Sequence, residues 1–495
     1  MKMPKKRTTA QRRAKQAAKR HSAASNKSGK HPVGAKAPVD SAFSMPGVKP
    51  PSSTPATKTG RRGPRPRSES LLVEIEKPIY GGAFLAHIEG KAVFVPLTLP
   101  GEQAKVRITQ DKRGYAMAEV DEIVATSAKR TAPACPHFGA CGGCHYQHAK
   151  YVAQLAFKQA ILRETLDRAG VVAPPEIAVL AGEPWQYRNR IRLAFDAAGN
   201  AGYRGRSSHT VISISECPIA APLLLNAAKA AAEVLRPFAP TFRPTEIALF
   251  CDAGETALLA SVFTDDANNV RFDELAQALS ERIPMLKGAE LAAEGRANQE
   301  FRTVAQWGAP SLTYRAANFD FRVDHGAFFQ VNRFLVDALV ERVAAGHKGE
   351  LAWDLFAGVG LFARSLTQSF ENVVAVESAP AATQALAANL KGTAGRAVRS
   401  ATLDFLRSSR KPDHSAQRPD LIVVDPPRTG LGPEITALLA EIDAPSVVYV
   451  SCDPATLSRD LRALTGSGYA IQSISLADLF PQTFHLETVV QLRRS

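Results

Sequence analysis

Short runs of alternating apolar and polar residues begin near Leu71 and continue to about residue 126. Gly81–Gly82, Gly90 and Pro100–Gly101 separate these runs. A period of two residues is typical of strands with one buried face, and glycine or proline clusters mark the turns between them. The pattern therefore predicts a small antiparallel, OB-like β-barrel, which we place at residues 69–128.

Residues 129–325 carry a less regular pattern. Apolar residues recur at three- and four-residue spacing in YVAQLAFKQAILRETLDRAG, which predicts a helix beginning at residue 151. Further on, WQYRNRIRLAF and GYRGRSSHTVISI favour strands, whereas LLLNAAKAAAEVL favours a helix. We therefore expect a mixed α+β region between the barrel and the last part of the chain.

From residue 326 the pattern changes again. A helix is predicted at 331–345, and the apolar runs LAWDLF, NVVAVE, DLIVVD and SVVYVS then alternate with helical stretches. Buried strands that alternate with helices are typical of a doubly wound parallel sheet. Residues 326–495 are therefore expected to form a Rossmann-like α/β domain, and no internal repeat is evident.

The net charge of +14 is concentrated at the N-terminus. Residues 1–68 hold 18 Lys and Arg and a single acid, Asp40, whereas the rest of the chain holds 43 basic and 46 acidic residues. This segment has few large apolar residues, so we expect a disordered basic tail that attracts nucleic-acid phosphates; a merely solubilising extension is the alternative. Five cations of the predicted barrel could add a phosphate-binding face or could be scattered surface charges: Lys91, Lys105, Arg107, Lys112 and Arg113.

No apolar run approaches the roughly 20 residues that a membrane-spanning helix needs. The N-terminal sequence MKMPKKRTTAQRRAKQ is basic, but no apolar segment follows it, so it does not match a secretory signal. We therefore expect a cytoplasmic protein without a membrane partner, and we expect it to be a monomer. Six cysteines in such a chain indicate chemistry or metal binding rather than disulfides.

Acidic residues and a glycine turn follow the strands of the predicted parallel sheet. The strand LAWDLF runs into the turn AGVG, Glu377 ends NVVAVE, and Asp425 ends DLIVVD before Pro426–Pro427. Ligands of open α/β sheets bind at the carboxyl edge of the strands, where a helix N-terminus offers free N–H groups. Because Phe362 and Ala363 replace the later glycine of a dinucleotide turn, the pattern favours S-adenosylmethionine over a nicotinamide cofactor.

Cys452 follows the apolar strand SVVYVS and therefore belongs to the same edge. We expect its thiol to be partly exposed beside a helix N-terminus, conditions that lower a cysteine pKa from about 8.5. Glu487 precedes a further apolar strand and could come close to Cys452. A thiol and a carboxyl group beside a methyl-donor pocket would suit covalent catalysis followed by proton removal.

A second group of cysteines lies in CPHFGACGGC. Four thiolates would suit an iron–sulfur cluster or zinc, with the last one supplied from a distant segment: Cys135, Cys141, Cys144 and Cys217. Spacing alone leaves a mixed zinc site open, because three histidines lie nearby: His137, His145 and His148. Cys251 has no evident partner and is expected to pack in a core.

Five motifs resemble the RNA uracil-5 methyltransferase family: FFQVN at 328–332, DLFAGVG at 354–360, DPPRTGL at 425–431, SCDP at 451–454 and FPQTFHLE at 480–487. Their order matches as well, and the combination of SCDP with FPQTxHxE is highly specific. The barrel is similar to a TRAM domain, an RNA-binding module, and the cysteine motif looks like the [4Fe–4S] loop of the same family. The resemblance covers about residues 71–495. One departure is Leu361, at a position where members often carry a polar residue.

The resemblance implies an S-adenosylmethionine-dependent enzyme that methylates carbon 5 of uracil in RNA. It implies that Cys452 adds to carbon 6 of the ring and that Glu487 later removes the proton from carbon 5. It assigns cofactor contacts to Gln330, Phe356, Glu377, Asp404 and Asp425, with Asp404 near the adenine. It also implies that the four cysteines hold a mainly structural [4Fe–4S] cluster, with zinc as the alternative.

The barrel together with the cluster resembles the ribosomal branch, so 23S rRNA is the expected substrate and rRNA processing the expected role; tRNA is the alternative. RNA cytosine-5 methylation uses similar chemistry, but those enzymes place a cysteine beside Asp-Pro-Pro, where this chain has Arg428. An RNA-binding assembly factor without catalytic activity is a further alternative.

Overall fold

The computed structural model describes residues 70–238, 243–265, 271–294, 301–409 and 418–495. The basic tail predicted for residues 1–68 lies outside them. Within the described residues the strands form three large sheets and one two-stranded hairpin. None of the helices there is both long and apolar enough to span a membrane.

The first sheet is the predicted barrel. Its strand order is β1-β5-β6-β4-β3-β2, and its neighbours are antiparallel except for the parallel pair of the fourth and sixth strands. Alternate side chains such as Val73, Phe84, Val93 and Val106 fill its core, as the period of two predicts. The strands are β1 (Leu71–Glu74), β2 (Lys77–Pro78), β3 (Ala83–Ile88), β4 (Lys91–Pro96), β5 (Gln103–Asp111) and β6 (Tyr115–Ala125).

Three of the five barrel cations are neutralised by carboxylates of the same barrel. Lys91 pairs with Asp111, Lys105 with Glu122 at 2.8 Å, and Arg107 with both Glu119 and Asp121 at 3.3 Å. A phosphate would have to compete with these carboxylates for the cations. The barrel face is therefore less basic than the count of Lys and Arg suggests.

Helix α1 (Tyr151–Arg168) and the short strand β7 (Ala178–Leu180) lead from the barrel to the central sheet. That sheet has the order β10-β9-β8-β11-β12-β13-β14, and a hairpin follows it. Helices α2 (Pro222–Leu235) and α3 (Phe272–Arg282) share one core with the sheet, and Cys251 is fully buried in that core, as predicted. The strands are β8 (Arg190–Phe195), β9 (Ala201–Arg204), β10 (Val211–Ser213), β11 (Pro244–Cys251), β12 (Leu258–Thr264), β13 (Leu286–Glu294), β14 (Phe301–Gly308) and, in the hairpin, β15 (Ser311–Ala316) and β16 (Phe319–Asp324).

The C-terminal part forms an eight-stranded sheet of order β19-β18-β17-β20-β21-β23-β22-β7. Strand β23 is antiparallel to both of its neighbours, β21 and β22. All other neighbouring strands of this sheet are parallel. The strands are β17 (Gly349–Leu355), β18 (Phe370–Glu377), β19 (Gly395–Arg399), β20 (Leu421–Val424), β21 (Ser446–Ser451), β22 (Tyr469–Ala477) and β23 (Glu487–Arg494). The helices are α4 (Val336–Ala344), α5 (Leu361–Leu366), α6 (Pro380–Leu390), α7 (Thr402–Ser408), α8 (Gly432–Ile442) and α9 (Pro454–Gly466).

Both faces of this sheet are covered, which explains its continuous apolar strands. Alternate residues of one strand go to opposite cores: Ala352 lies in the core with α4, α5 and α6, and Trp353 lies in the core with α1, α8 and α9. The edge strand β7 pairs with β22 although it precedes the central sheet in the chain. The doubly wound sheet predicted from the sequence is confirmed, and β7 extends it.

The prediction of a helix at 331–345 is wrong at its start, because α4 begins at Val336. The backbone of the preceding residues is used elsewhere: Asn189 N donates to Val331 O at 3.0 Å, and Arg333 N donates to Tyr187 O at 2.9 Å. The Asn332 side chain also donates to Leu479 O at 3.2 Å. These groups hold the FFQVN segment as a loop between the central and C-terminal sheets.

Candidate active site at the carboxyl edge of the sheet

Four parallel strands, β17, β18, β20 and β21, end at one edge of the C-terminal sheet, and each is followed by a predicted site residue. Phe356 follows β17, Glu377 ends β18, Asp425 follows β20, and Cys452 follows β21. Because parallel strands present the same end to the same edge, these side chains gather there. The sheet thus assembles residues that are almost a hundred positions apart in the chain.

The Glu377 carboxylate is fixed by three backbone donors. Gly358 N donates to Oε2 at 2.9 Å, and Ser378 N and Ala379 N both donate to Oε1 at 2.7 Å. Oε2 thus accepts a single strong hydrogen bond and keeps a second acceptor position. The hydrogen bond from Gly358 also holds the glycine turn against the end of β18, so the turn and the carboxylate lie on the same side of a candidate ligand site.

The glycine turn depends on left-handed backbone conformations. Phe356, Gly358 and Gly360 all have positive φ angles, of 65°, 56° and 92°. A Cβ at Gly360 would lie 2.6 Å from Leu386, whereas nothing lies within 4 Å of a Cβ placed at Gly358. The turn is therefore tightly packed on its helix side and open at Gly358.

Asp354 is a buried acid that the sequence reasoning did not single out, although it is the one charged residue in the run LAWDLF. Ala363 N donates to its Oδ2 at 2.8 Å, which ties α5 to β17. Burial, together with the negative charges of Asp425 and Glu377, raises the pKa of Asp354 to about 8. Burial likewise raises the pKa of Asp425 to about 7. The edge therefore concentrates three acids within electrostatic reach of one another.

The remaining predicted cofactor residues surround this edge. Gln330 is buried in the FFQVN loop, where its backbone oxygen accepts from Asn189 Nδ2 at 2.9 Å. Asp404 is exposed in the first turn of α7, which directly follows β19, and it lies 3.8 Å from Arg407. Leu361 is buried in the core beneath the glycine turn, so its apolar side chain packs there.

Cys452 and Glu487 lie at the ends of two paired strands. The last pair between β21 and β23 is Ser451 with Thr488. Cys452 follows Ser451 and Glu487 precedes Thr488, so both residues lie just beyond this pair. Cys452 is half-buried, and Glu487 is 4% exposed. Asp453 then caps α9 by accepting from Ala455 N at 3.0 Å and Thr456 N at 2.9 Å. The thiol and the carboxyl group are therefore neighbours, as predicted.

The expectation of a lowered pKa at Cys452 is wrong. Burial raises the pKa of this thiol, and the negative charges of Glu487 and Asp425 raise it further. Arg428 acts in the opposite direction, but it does not outweigh burial. Burial also raises the pKa of Glu487, again with Asp425 raising and Arg428 lowering it. The Cys452 thiol is therefore held in its protonated form at neutral pH.

Several residues of this site were missed by the sequence reasoning. Arg428 Nη2 lies 3.4 Å from His485 Nδ1, so the Asp-Pro-Pro-Arg turn contacts the loop that carries Glu487. The ring of Phe484 packs between those of His485 and Tyr80, with centroid distances of 4.3 Å and 5.4 Å. His485 and Phe484 lie in a motif that was recognised, whereas Tyr80 lies in the barrel and carried no signal.

The cysteine loop, residues 135–148, lies beside this site, because His145 contacts Gln482 and Phe484. Burial raises the pKa of Cys144 to about 12, and the charges of the other three predicted ligands, Cys217, Cys141 and Cys135, raise it too. The four thiols therefore share one neighbourhood. Within the described residues, however, no group of three or more His, Cys, Asp or Glu side chains is arranged closely enough to hold a single metal ion.

The nearby histidines have other contacts. One ring nitrogen of His148 lies 3.0 Å from Thr98 O, and His137 Nε2 accepts from Ser215 N at 3.0 Å. His145 is held by its backbone N–H, which donates to Gln482 O at 2.8 Å, and its ring packs on Phe484 at 4.6 Å. The histidine side chains thus secure the loop to the barrel, to the segment near Cys217 and to the loop before Glu487.

Comparisons with known proteins agree with this architecture. A family described as tRNA (Uracil-5-)-methyltransferase matches residues 273–495, and the TRAM domain matches residues 66–120. The 23S rRNA (uracil(1939)-C(5))-methyltransferase RlmD of Halomonas elongata is 31% identical, covering 82% of this chain and 85% of that protein. RlmD of Azoarcus sp. is 32% identical, covering 85% and 99%. An uncharacterized RNA methyltransferase of Thermotoga maritima is 30% identical, covering 85% and 98%.

A solved structure supports the fold. The Pyrococcus abyssi tRNA (uracil-54, C5)-methyltransferase, in complex with S-adenosyl-L-homocysteine, superimposes with a TM-score of 0.67 at 23% identity, covering 85% of this chain and all of that one. The class that fold and site define is a Rossmann-like methyltransferase preceded by an RNA-binding barrel. The chain belongs to the RNA (uracil-5-)-methyltransferase family. The predicted fold class and class of enzyme are thereby confirmed.

Proposed function

We propose that this protein transfers a methyl group from S-adenosylmethionine to carbon 5 of a uracil in 23S rRNA, through a covalent adduct of Cys452 at carbon 6. The observation that carries the proposal is that Cys452 and Glu487 lie close together, just beyond the last pair of β21 and β23 and beside the acidic edge of the sheet. Carbon 5 of uracil is a poor nucleophile until a group adds to carbon 6, so a thiol next to a base suits this reaction.

The donor fits the residues at the sheet edge. The space around Gly358 is open, and Glu377 Oε2 can accept a further hydrogen bond there, as a ribose hydroxyl would require. Glu377 and Asp425, with Gln330 and Phe356, would hold the donor, and Asp404 at the start of α7 would lie toward its adenine. When bound, S-adenosylmethionine supplies an electrophilic methyl group.

The thiol and the carboxylate then act in sequence. The Cys452 thiolate forms a bond to carbon 6, and the electron pair of the carbon 5–carbon 6 double bond moves toward carbon 5, which takes the methyl group. The Glu487 carboxylate removes the proton that remains on carbon 5. The double bond re-forms as the sulfur–carbon bond breaks, and Cys452 leaves as a thiolate. Arg428 is the cation that favours the charged forms of both residues.

Variants of these two residues test the chemistry. Cys452→Ala should abolish methyl transfer while RNA and donor binding stay measurable, because only the nucleophile is lost. Glu487→Gln should allow addition and methylation but not proton removal, so a protein–RNA adduct should accumulate on denaturing gels. Undiminished turnover of Cys452→Ala would refute the nucleophile, and the absence of an adduct in Glu487→Gln would refute the proton-removal role.

The names of the relatives support 23S rRNA as the substrate. Two proteins that this chain matches over more than four fifths of its length are named as 23S rRNA uracil-1939 methyltransferases, so uracil 1939 is the first position to examine. The alternative substrate is tRNA, since the description of the matching family names tRNA and the solved structure with a similar fold is a tRNA methyltransferase. Mass spectrometry of rRNA and tRNA from cells that lack the gene would separate the two, because 5-methyluridine should disappear from only one of them.

We further propose that Cys135, Cys141, Cys144 and Cys217 hold a [4Fe–4S] cluster with a structural role. Support comes from the donor chemistry: four thiols in one neighbourhood suit an iron–sulfur cluster or zinc. A cluster is larger than a single ion, so it can join thiols that lie too far apart for zinc. Iron and acid-labile sulfide in the purified protein, both lost in Cys217→Ser, are the expected result. Stoichiometric zinc without iron would contradict it.

A further inference from the structure

Tyr80 lies at the tip of the turn between β2 and β3, yet it belongs to the surroundings of Cys452. The turn continues through Gly81 and Gly82, both with positive φ angles. A Cβ at Gly82 would lie 2.9 Å from a ring carbon of His145, in the cysteine loop. The turn can therefore approach the other segments only because glycine occupies this position.

The ring of Tyr80 contacts the loop that carries the proposed base. It meets Phe484 edge to face, with ring centroids 5.4 Å apart and an angle of 88° between the planes. Phe484 precedes Glu487 by three residues in FPQTFHLE. Tyr80 also packs against the core formed by α1, α8 and α9 beneath the C-terminal sheet. An aromatic residue of the barrel thus supports a loop of the methyltransferase sheet.

The hydroxyl group of Tyr80 faces the segment that carries the proposed nucleophile. Asp453 and Cys452 both interact with it electrostatically, as does Arg428. Burial, followed by the charge of Asp453, raises the pKa of the Tyr80 hydroxyl, so this group remains a neutral donor throughout the physiological range. Asp453 already accepts two backbone hydrogen bonds at the start of α9 and can accept another.

We propose that Tyr80 is a positioning residue for the methyl-transfer reaction, holding Asp453 through its hydroxyl and Phe484 through its ring. These two contacts fix the segments on either side of the site, one with Cys452 and the other with Glu487. The inference rests on the proposed roles of those two residues. It assigns the barrel a part in arranging the catalytic groups, in addition to binding RNA.

Two variants at this position separate the hydroxyl from the ring. Tyr80→Phe removes only the donor, and Tyr80→Ala removes the ring contact as well. Loss of one side-chain hydrogen bond corresponds to about a five- to tenfold loss of rate, so kcat should fall by that factor in Tyr80→Phe while KM for RNA stays within about twofold. The kcat of Tyr80→Ala should be lower still, because this variant also loses the ring contact with Phe484 that Tyr80→Phe keeps.

Tyr115 provides the matched control, because it is a tyrosine of the same barrel that packs on Phe94, with ring centroids 5.4 Å apart. Tyr115→Phe should leave kcat unchanged. Thermal unfolding of all variants separates loss of folded protein from loss of rate. Equal kcat in Tyr80→Phe, Tyr80→Ala and the wild type would overturn the proposal. A rise in KM at constant kcat would also overturn it, since it would make Tyr80 an RNA-binding residue only.

RNA that carries 5-fluorouridine at the target distinguishes this proposal from the one on which it rests. Fluorine at carbon 5 cannot be removed as a proton, so a thiolate adduct persists and its rate of formation can be measured in a single turnover. We expect the wild type to form the adduct and Tyr80→Phe to form it about five- to tenfold more slowly. No adduct in a wild type that methylates normal RNA would refute Cys452 as the nucleophile. Equal rates of adduct formation would refute only the role of Tyr80.

Discussion

Cys452 and Glu487 are surrounded by charges that come from distant parts of the chain. Burial and neighbouring carboxylates raise the pKa values of both residues, whereas Arg428 lowers them. A thiol with a raised pKa is mostly protonated at neutral pH. The thiol is therefore less reactive toward oxidants and alkylating agents at neutral pH, because the thiolate is the reactive form.

The charge balance around Cys452 predicts opposite effects of two neutralising variants on its alkylation. Glu487→Gln removes a negative charge, which lowers the pKa of the thiol and increases the thiolate fraction at pH 8. Arg428→Gln removes a positive charge, which raises the pKa and decreases that fraction. A change of one pKa unit corresponds to about a tenfold change in alkylation rate.

Alkylation of Cys452 by iodoacetamide, followed from pH 7 to 10 by peptide mass spectrometry, measures this effect independently of catalysis. The fully buried Cys251 serves as an internal control for folding, because it should stay unalkylated as long as the protein remains folded. Identical pH profiles in the wild type and Glu487→Gln would mean that the two side chains do not interact.

At this scale the sequence predicted that Cys452 and Glu487 would lie close together, but it did not predict their ionisation. Motifs and strand ends were enough to pair Cys452 with Glu487. The direction of the thiol pKa shift was wrong, because it depends on burial and on Asp425 and Arg428, whose distances from the thiol are set by the packing of separate strands. Asp354 and Tyr80 were missed for the same reason.

At the scale of elements, a buried ion pair joins α1 to the loop between β22 and β23. Lys158 Nζ lies 2.5 Å from Asp478 Oδ1 and donates to Phe480 O at 2.9 Å, with both charged side chains fully buried. Tyr151 of the same helix donates to Asp478 Oδ2 at 2.9 Å. The loop that carries Phe484 and Glu487 is therefore attached to a helix from the first half of the chain.

Breaking this pair should be costly. Lys158→Met leaves a buried carboxylate without its cation, and we expect a loss of about 3–5 kcal/mol in the free energy of unfolding. Urea denaturation measures it. The matched control is Lys77→Met, which breaks the half-exposed pair of Lys77 with Glu164 of the same helix (2.8 Å) and should cost about 1 kcal/mol or less.

A loss for Lys158→Met no larger than that of the control would show that the buried pair contributes little. A second variant, Lys158→Met with Asp478→Leu, replaces both charges by apolar groups. It should recover part of the stability, since burial of an unpaired charge is the main cost.

Most elements followed from periodicity, and the exceptions have a physical reason. The barrel, α1, α2 and the parallel strands lie where the pattern put them. Strand β7 has only three residues, too few for a period to be recognised, and it exists because β22 offers an edge. The predicted helix at 331–345 began too early, because tertiary hydrogen bonds from residues 187–189 take the backbone groups that a helix would use.

At the scale of the whole molecule, the cysteine loop connects all three sheets. His148 contacts Thr98 of the barrel, Gly142 N donates to Arg204 O of the central sheet at 3.0 Å, and His145 N donates to Gln482 O beside the C-terminal sheet. The sequence predicted three folded parts behind a basic tail. It did not predict that one loop would join the parts at the candidate active site, because the contact with the C-terminal sheet is between segments more than 300 residues apart.

The pairing of β7 with β22 has a consequence for how the protein is made. Ribosomes synthesise β7 and α1 early, but β22 emerges nearly three hundred residues later, on the order of tens of seconds at roughly 5–20 residues per second. During that interval the part of α1 that packs on the C-terminal sheet, with Ile161, Leu162 and Leu166, has no sheet to cover it. We expect chaperones to bind a nascent chain at this stage. The exposed apolar surface is covered only when β22 and β23, the last strands of the chain, have been synthesised.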